Sequence, residues 1–354
     1  MRKNNLFNKN KKIACALSGG VDSSVTAALL KNDGFDVSGV FMRLWKESGG
    51  PILNSEDEKR AKAVAKKLNI PFYVYDLSEE FKKRVVDCFL DEFQKGRTPN
   101  PCIVCNPQIK FGVLLDNIIY KGFDLLATGH YAKTKLMKDG KFHFFEAKDK
   151  SKDQSYFLWK LKQNQLKKVL FPLGDYYKKE VKEIGKELDL PIKNAIESKE
   201  ICFVPDSLHE FLDRRLKKRS GEIIDKDGNF LGEHQGLLFY TIGQRKGIDL
   251  SGGPFYVLDK DIKRNRLIVT KNEKDLYKKQ LELKEVNWIL GKIPDLPLKI
   301  KARIRYRHEA VPAEVFKKSN KYFVEFKTKQ RAVTPGQSAV FYKRREIFGG
   351  GIIV

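Results

Sequence analysis

Near its amino end the chain reads Ala16-Leu17-Ser18-Gly19-Gly20-Val21-Asp22-Ser23-Ser24. An apolar, strand-like run precedes this segment (residues 13–15), and a helix-like run follows it (residues 25–30). A strand, a tight Gly-Gly turn and a helix start would gather backbone N–H groups and hydroxyls around one point, which is the geometry that binds phosphate. No lysine follows the second glycine, so the segment is not a Walker loop. Residues 16–23 are called the phosphate loop below.

The order Ser-Gly-Gly-x-Asp-Ser resembles the pyrophosphatase loop of enzymes that split ATP into AMP and pyrophosphate while they adenylate a substrate. The alternative is a plain glycine turn between a strand and a helix. Asp22 would set a carboxylate beside phosphates, which repels them unless Mg²⁺ lies between or the side chain caps the loop. The loop therefore predicts ATP, and with it Mg²⁺, as cofactors.

The composition of the chain points to a polyanionic partner. Its 354 residues include 69 Lys and Arg against 45 Asp and Glu, a formal charge of +24. Nucleic acid is the simplest such partner, and the alternative is a lysine-rich surface with no ligand. The apolar share of 41% is enough for packed cores, and the length allows two or three domains.

Targeting signals and cysteine usage indicate a cytoplasmic protein without membrane contact. No apolar signal core follows the basic residues 1–12, and no apolar run approaches the roughly 20 residues of a membrane span. The five cysteines are an odd number in a long chain without a secretion signal. They are therefore expected to be catalytic, metal-binding or core-filling rather than a disulfide scaffold.

Strand-like and helix-like segments alternate over the first part of the chain. Strands are expected at 36–44, 71–77 and 124–128, and helices at 79–94 and 108–119, with a capping box at Ser55 opening a further helix. This alternation predicts an α/β fold with a doubly wound parallel sheet that binds ligands beyond the carboxyl ends of its strands. Cys15 and Cys88 are predicted to be core residues.

Beyond residue 205 the pattern changes to short strands and turns. We expect domains at 1–204, 205–284 and 285–354: the catalytic domain, a small central α+β domain and a C-terminal β-barrel. One barrel strand should carry two distinct faces. The apolar face is Ile300, Ala302, Ile304 and Tyr306, and the basic face is Lys301, Arg303, Arg305 and Arg307.

Residues 96–107 read Gly-Arg-Thr-Pro-Asn-Pro-Cys-Ile-Val-Cys-Asn-Pro. Three prolines stiffen the segment and would hold its two cysteines, Cys102 and Cys105. Cys105 is expected just before a helix N-terminus, close to Arg97 and Lys110, and both influences favour the thiolate. Cys202 lies far downstream, at an apparent boundary. No second cysteine pair or spaced histidine pair completes a zinc site.

Several segments together resemble the tRNA-specific 2-thiouridylases, whose first domain is HUP-like. They are the phosphate loop, Thr98-Pro99-Asn100-Pro101 with Cys105-Asn106, Lys152 to Tyr156, Ile201 to Val204, Tyr240 to Gly247 and Pro335 to Ala339. These matches run in family order and cover nearly the whole chain. The family places sulfur on C2 of the wobble uridine in tRNA, with ATP as the activating substrate.

The resemblance implies a reaction in two steps. The C2 carbonyl oxygen is adenylated as pyrophosphate leaves, and sulfur then displaces AMP. Cys202 would carry that sulfur as a persulfide and Cys105 would be the nucleophile that releases it, so that the two end as a disulfide. A persulfide donor, such as a cysteine desulfurase or a sulfur-relay protein, would reload Cys202. ATP contacts would come from Ala16, Leu17, Ser18, Gly19, Gly20, Val21, Asp22, Ser23, Met42 and Gly129.

One position departs from the family pattern. Well-known members have an aspartate, thought to act as acid or base, where this chain has Cys102. A thiol can shuttle protons only if its pKa lies near neutrality. Cys102, Cys105 and Cys202 could instead hold an iron–sulfur cluster with one open iron to carry sulfide, or a structural metal.

The resemblance also implies contacts with the tRNA anticodon loop, where a base is unstacked more cheaply than in a duplex. Asn100, Pro101 and Cys102 match the segment at the target base. The other contact positions are His130, Lys152, Asp153, Gln154, Arg305, Tyr306 and Gln337. The plainer alternatives are a hydrogen-bonded core histidine for His130 and a solvated edge for the basic strand face.

Two other functions compete with thiolation. Another adenylating synthetase of the pyrophosphatase-loop superfamily would need neither Cys105 and Cys202 nor a basic β-domain. A non-catalytic RNA-binding module would not need the complete phosphate loop.

Overall fold

A parallel sheet organises the amino-terminal part of the chain. The computed structural model describes residues 9–45, 55–192, 201–205 and 207–354. The strands in this part are β1 (Lys12–Ala16), β2 (Asp36–Arg43), β3 (Phe72–Asp76), β4 (Leu125–Ala127), β5 (Ala132–Leu136), β6 (Phe142–Glu146) and β7 (Val169–Leu170). The sheet order is β3-β2-β1-β4-β7, and every neighbouring pair is parallel.

Helices cover both faces of this sheet. They are α1 (Val21–Asn32), α2 (Glu56–Lys67), α3 (Ser78–Phe81), α4 (Asp87–Gln94), α5 (Pro101–Cys105), α6 (Leu115–Tyr120), α7 (Gln163–Leu166) and α8 (Lys178–Glu187). Ile13 and Cys15 of β1 pack with α1 and α2, whereas Ala14 of the same strand packs with α3 to α6. The predicted doubly wound α/β fold is confirmed.

Two π-helical segments interrupt the helices on one face. Lys82–Val86 joins α3 to α4, and Asn106–Leu114 joins α5 to α6. The prediction that Cys88 is a core residue is wrong, and the segment Lys82–Val86 explains why. The wider π turn rotates the helix so that Val86 is buried and Cys88 is exposed. Cys15 is fully buried, as expected.

A small central domain follows the first. It contains α9 (Leu208–Arg215), β8 (Gly221–Asp225), β9 (Phe230–His234), β10 (Tyr256–Asp261) and β11 (Arg266–Thr270), with the sheet order β10-β11-β8-β9. Alternate strand residues, including Ile223, Val257 and Leu267, form its core.

The C-terminal strands close into a barrel. They are β12 (Tyr277–Trp288), β13 (Leu298–Arg303), β14 (Val311–Lys318), β15 (Lys321–Arg331), β16 (Ser338–Lys343) and β17 (Glu346–Ile353). The order β12-β15-β14-β13-β16-β17 is closed by pairing of β12 with β17, which confirms the predicted barrel. The boundary expected at residue 285 falls inside β12. The hairpin β5–β6 pairs with β17 and so attaches the first domain to the barrel.

The basic strand face is shorter than the sequence predicts, because β13 ends at Arg303. Ile300, Ala302 and Ile304 are buried as expected, but Arg305 lies in the loop after the strand. Arg303 does not face solvent. Its guanidinium pairs with Glu146 at 3.1 Å and covers the ring of a buried tyrosine, Tyr342.

The helical run Pro101–Tyr120 is the one described segment that is long and apolar enough to cross a bilayer by length and composition. Its apolar residues Ile103, Ile109, Phe111 and Ile118 are buried in the largest core cluster. The segment therefore packs as a core helix.

Candidate active site

The phosphate loop leaves the carboxyl end of β1 and runs directly into α1. Hydrogen bonds within the loop fix its shape: the backbone N–H of Ser18 donates to Ser23 Oγ at 3.1 Å, and that hydroxyl donates to the Gly20 carbonyl at 3.0 Å. Gly20 is the N-cap of α1 and offers no side-chain cap to the first turn. This arrangement suits an anionic ligand at the helix N-terminus.

Glycine is required at two positions around the loop. Gly19 has a φ of +77°, and a Cβ there would lie 2.5 Å from the carbonyl oxygen of Asp57. Gly129, which follows β4, approaches α1 so closely that a Cβ would lie 2.9 Å from the backbone nitrogen of Ser23. Met42 is the last residue but one of the neighbouring β2. The loop, Met42 and Gly129 thus all lie at the carboxyl edge of the sheet, the edge at which this topology binds ligands.

Asp22 is engaged by two residues that the sequence did not single out. Lys178 Nζ lies 2.6 and 2.7 Å from the two carboxylate oxygens, and the Tyr131 hydroxyl donates to Oδ1 at 2.8 Å. Lys178 lies 156 positions from Asp22 along the chain, and it belongs to no sequence motif that would have predicted the contact.

Cys102 and Cys105 lie within a helix. Asn100 caps α5, its Oδ1 accepting the N–H of Cys102 at 3.1 Å, and Pro101 takes the first helical position, where its fixed φ fits. The expectation that Cys105 stands just before a helix start is therefore wrong. The helix begins four residues earlier and continues past it.

The two thiols are also less acidic than expected. Burial raises the pKa of Cys102 to about 11 and that of Cys105 to about 12, and the nearby charge of Lys110 opposes this only in part. Both residues are therefore thiols, not thiolates, at neutral pH. Desolvation of the charged form outweighs the one nearby cation.

Cys202 is exposed, and its neighbour Phe203 anchors it. The Phe203 ring packs edge-on against Phe81, Phe89 and Phe211, with centroids 5.7, 5.4 and 5.6 Å away. The charge of Cys202 contributes to raising the pKa of both Cys102 and Cys105, so the three sulfur atoms belong to one neighbourhood. All five cysteines are free.

The segment before Asn100 is held by the other two domains. The N–H of Thr98 donates to the Pro335 carbonyl at 3.0 Å, and Gln337 Nε2 donates to the Thr98 carbonyl at 2.6 Å. The hydroxyls of Thr98 and Thr241 lie 3.3 Å apart. Gln337, a tRNA position by resemblance, is thus in contact with the cysteine-bearing segment.

Three more of the residues that the resemblance assigns to tRNA contact are hydrogen-bonded within the protein. His130 is buried, its Nδ1 lies 2.8 Å from Thr128 Oγ1, and burial lowers its pKa well below the usual value, so the ring is neutral. Asp153 is buried and accepts the N–H of Ala147, and desolvation raises its pKa to about 6. Gln154 Oε1 accepts the N–H of Tyr131.

Of the other positions expected to contact tRNA, Arg305 and Tyr306 follow β13 of the barrel and Lys152 lies in the first domain. Arg305 is half-buried and donates to the Ala332 carbonyl at 3.0 Å and to Thr334 Oγ1 at 2.9 Å. Tyr306 packs on Phe157 with ring centroids 4.4 Å apart. Lys152 is partly exposed.

Three family models match the chain in order. They are the tRNA methyl transferase HUP domain over residues 11–206, the tRNA methyl transferase PRC-barrel domain over 209–271 and the aminomethyltransferase beta-barrel domain over 278–353. The ranges agree with the parallel sheet, the central sheet and the closed barrel.

Curated relatives resemble the chain over nearly its whole length. The tRNA-specific 2-thiouridylase MnmA 2 of Clostridium botulinum is 41% identical over 96% of this chain and 98% of its own. The tRNA-specific 2-thiouridylase MnmA of Clostridium perfringens is 44% identical over 97% and 98%. Among solved structures, the U34-tRNA thiolase NcsA of Methanococcus maripaludis covers 53% of this chain and 59% of its own at 22% identity, with a TM-score of 0.35, too low to indicate a shared activity.

Proposed function

The chain belongs to the tRNA-specific 2-thiouridylase family, and on that premise we propose that it converts the wobble uridine of tRNA to 2-thiouridine. ATP would adenylate the C2 oxygen, and AMP and pyrophosphate would be the other products. The family is an ATP-using one, and the phosphate loop at the carboxyl edge of the sheet supports ATP binding there. Residues 16–23, Met42 and Gly129 are the proposed contacts.

The single observation that carries the sulfur chemistry is the pairing of an exposed Cys202 with a buried Cys105 whose pKa responds to it. The exposed thiol suits loading by a cysteine desulfurase or a sulfur-relay protein. The terminal sulfur of the Cys202 persulfide attacks C2 and AMP leaves. Cys105 then attacks the inner sulfur, so the transferred atom is reduced while both cysteines are oxidised to a disulfide. A thiol reductant restores them.

The iron–sulfur alternative finds less support. Over the described ranges, no group of three His, Cys, Asp or Glu side chains is arranged to hold a metal ion. We therefore assign Cys102, whose thiol stays protonated at neutral pH, no role as a cluster ligand or proton shuttle. Iron and visible absorbance in anaerobically purified protein, lost in Cys102→Ser, would reverse this assignment.

For the tRNA, we propose that the anticodon loop reaches the start of α5, where Asn100 and Pro101 lie. Tyr306, supported from behind by Phe157, offers a ring on which an unstacked base can stack. Lys152 would contact phosphate. The buried tRNA positions, such as His130 and Asp153, would support this surface from beneath.

The test is mass spectrometry of tRNA nucleosides after incubation with ATP, Mg²⁺ and a persulfide donor. We expect 2-thiouridine with the wild-type protein and none with Cys105→Ser or Cys202→Ser, while both variants retain tRNA-dependent exchange of pyrophosphate into ATP. Cys88→Ser, an exposed cysteine outside the site, is the matched control. Exchange without thiolation in the wild type would favour another adenylating synthetase.

A further inference from the structure

Lys178 places a positive charge beside the negative charge of Asp22 in the phosphate loop. Its ammonium group contacts both carboxylate oxygens of Asp22, and Tyr131 donates to one of them. The carboxylate is therefore paired with a cation of the chain itself and does not cap the loop. Its charge is already balanced within the protein.

The position of Lys178 is built into the packing of α8. Gly185 brings α8 close to α1, since a Cβ there would lie 3.4 Å from Val25 Cγ2. The backbone N–H of Lys178 donates to Asp149 Oδ2 at 2.9 Å, which fixes the start of the helix. The Lys178 side chain is only 14% exposed. The cation is thus held beside the first turn of α1.

When the triphosphate of ATP enters the loop, Lys178 has the phosphates as well as Asp22 as possible partners. Asp22 would repel the phosphates, and the ammonium that Asp22 already holds beside the loop is a charge that can offset theirs. The lysine stem is flexible, and its ammonium is a compact charge that can exchange partners over a short distance.

Building on the proposed function, we propose that Lys178 is a catalytic residue of the adenylation step. Its ammonium turns from Asp22 to the phosphates of bound ATP and leaves the carboxylate free for the accompanying Mg²⁺. As the bond from the uridine oxygen to Pα forms, the bond from Pα to the bridging oxygen breaks, and its electron pair stays on pyrophosphate. Lys178 keeps its proton and offsets that growing charge.

The experiment measures ATP dissociation constants by calorimetry, with Mg²⁺ and with EDTA, together with pyrophosphate exchange. Lys178→Met should weaken ATP binding in EDTA about tenfold or more and lower exchange about a hundredfold. Lys178→Arg should restore most of the EDTA binding. Lys179→Met is the matched control, because this neighbour is 88% exposed, and it should match the wild type.

A double variant distinguishes two roles for Lys178, which are direct contact with the phosphates and neutralisation of the Asp22 charge. On an Asp22→Asn background, Lys178→Met should still weaken ATP binding in EDTA, because the phosphates are the partner of the ammonium. Equal constants for Asp22→Asn and the double variant, or wild-type constants for a folded Lys178→Met, would overturn the proposal. These binding measurements need no tRNA, so they remain decisive for Lys178 even if the wild type fails to thiolate.

Discussion

Arg305 is expected by resemblance to contact tRNA, and in the structure it also holds two parts of the barrel together by hydrogen bonds. Its guanidinium donates to the Ala332 carbonyl and Thr334 Oγ1 from a half-buried position. Arg305→Met should therefore lower the free energy of unfolding by about 1–3 kcal/mol, because two buried oxygens lose a charged donor and the Ala332 carbonyl keeps only the one from Thr334 Oγ1. Chemical denaturation measures it, and Arg307→Met, an exposed neighbour, should be nearly neutral. Weaker tRNA binding with unchanged stability would contradict the structural role.

The buried thiol of Cys105 predicts a pH dependence. Burial raises its pKa to about 12, so its thiolate fraction should rise tenfold with each pH unit below that value. Alkylation of Cys105 by iodoacetamide, followed by peptide mass spectrometry, should accelerate about a hundredfold from pH 7 to pH 9. Because Cys105 is buried, iodoacetamide reaches it slowly, which lowers the alkylation rate at every pH but leaves its increase with pH unchanged. A plateau below pH 8 would mean that the thiolate is stabilised after all.

At the scale of elements, the turn before β16 fixes the segment that leads into α5. Gly336 has a φ of +90°, and a Cβ there would lie 3.1 Å from the Thr98 nitrogen. Gly336→Ala should therefore displace this segment and reduce thiolation about tenfold or more, since small misplacements are costly to catalysis. Gly228→Ala is the matched control. Its φ is also +90° and no atom lies within 4 Å of the added Cβ, so it should lose some stability but keep activity.

The elements predicted correctly are those whose signal is local. The strand, turn and helix around residues 16–23, the parallel strands and the barrel follow from residues adjacent in sequence, and the topology then brings Gly129 close to α1. The errors at Cys88 and Cys105 have separate causes. Helical phase and helix start depend on π-helical turns and on a proline at the first position, which periodicity does not reveal. Lys178 could not be predicted, because its partner is distant in the chain.

Across the whole molecule, three domains meet around one short segment. The first domain supplies the cysteines, while Thr241 of the central domain and Gln337 of the barrel hold Thr98. A tRNA that touched Thr241 or Gln337 would therefore contact residues that hydrogen-bond to the segment leading into α5.

The net charge of +24 makes a prediction for the complete complex. A protein that contacts about six to ten phosphates loses roughly 10³–10⁵ in affinity between 50 and 200 mM salt, because it releases condensed counterions. We expect full-length tRNA to approach the lower end of this range in filter binding. An isolated anticodon stem–loop should give a shallower slope, because it presents fewer phosphates to the central domain and the barrel. If affinity falls equally steeply with salt for the two RNAs, the protein contacts phosphates of the anticodon stem–loop alone. If affinity does not change with salt, the positive charge of the protein does not contribute to RNA binding.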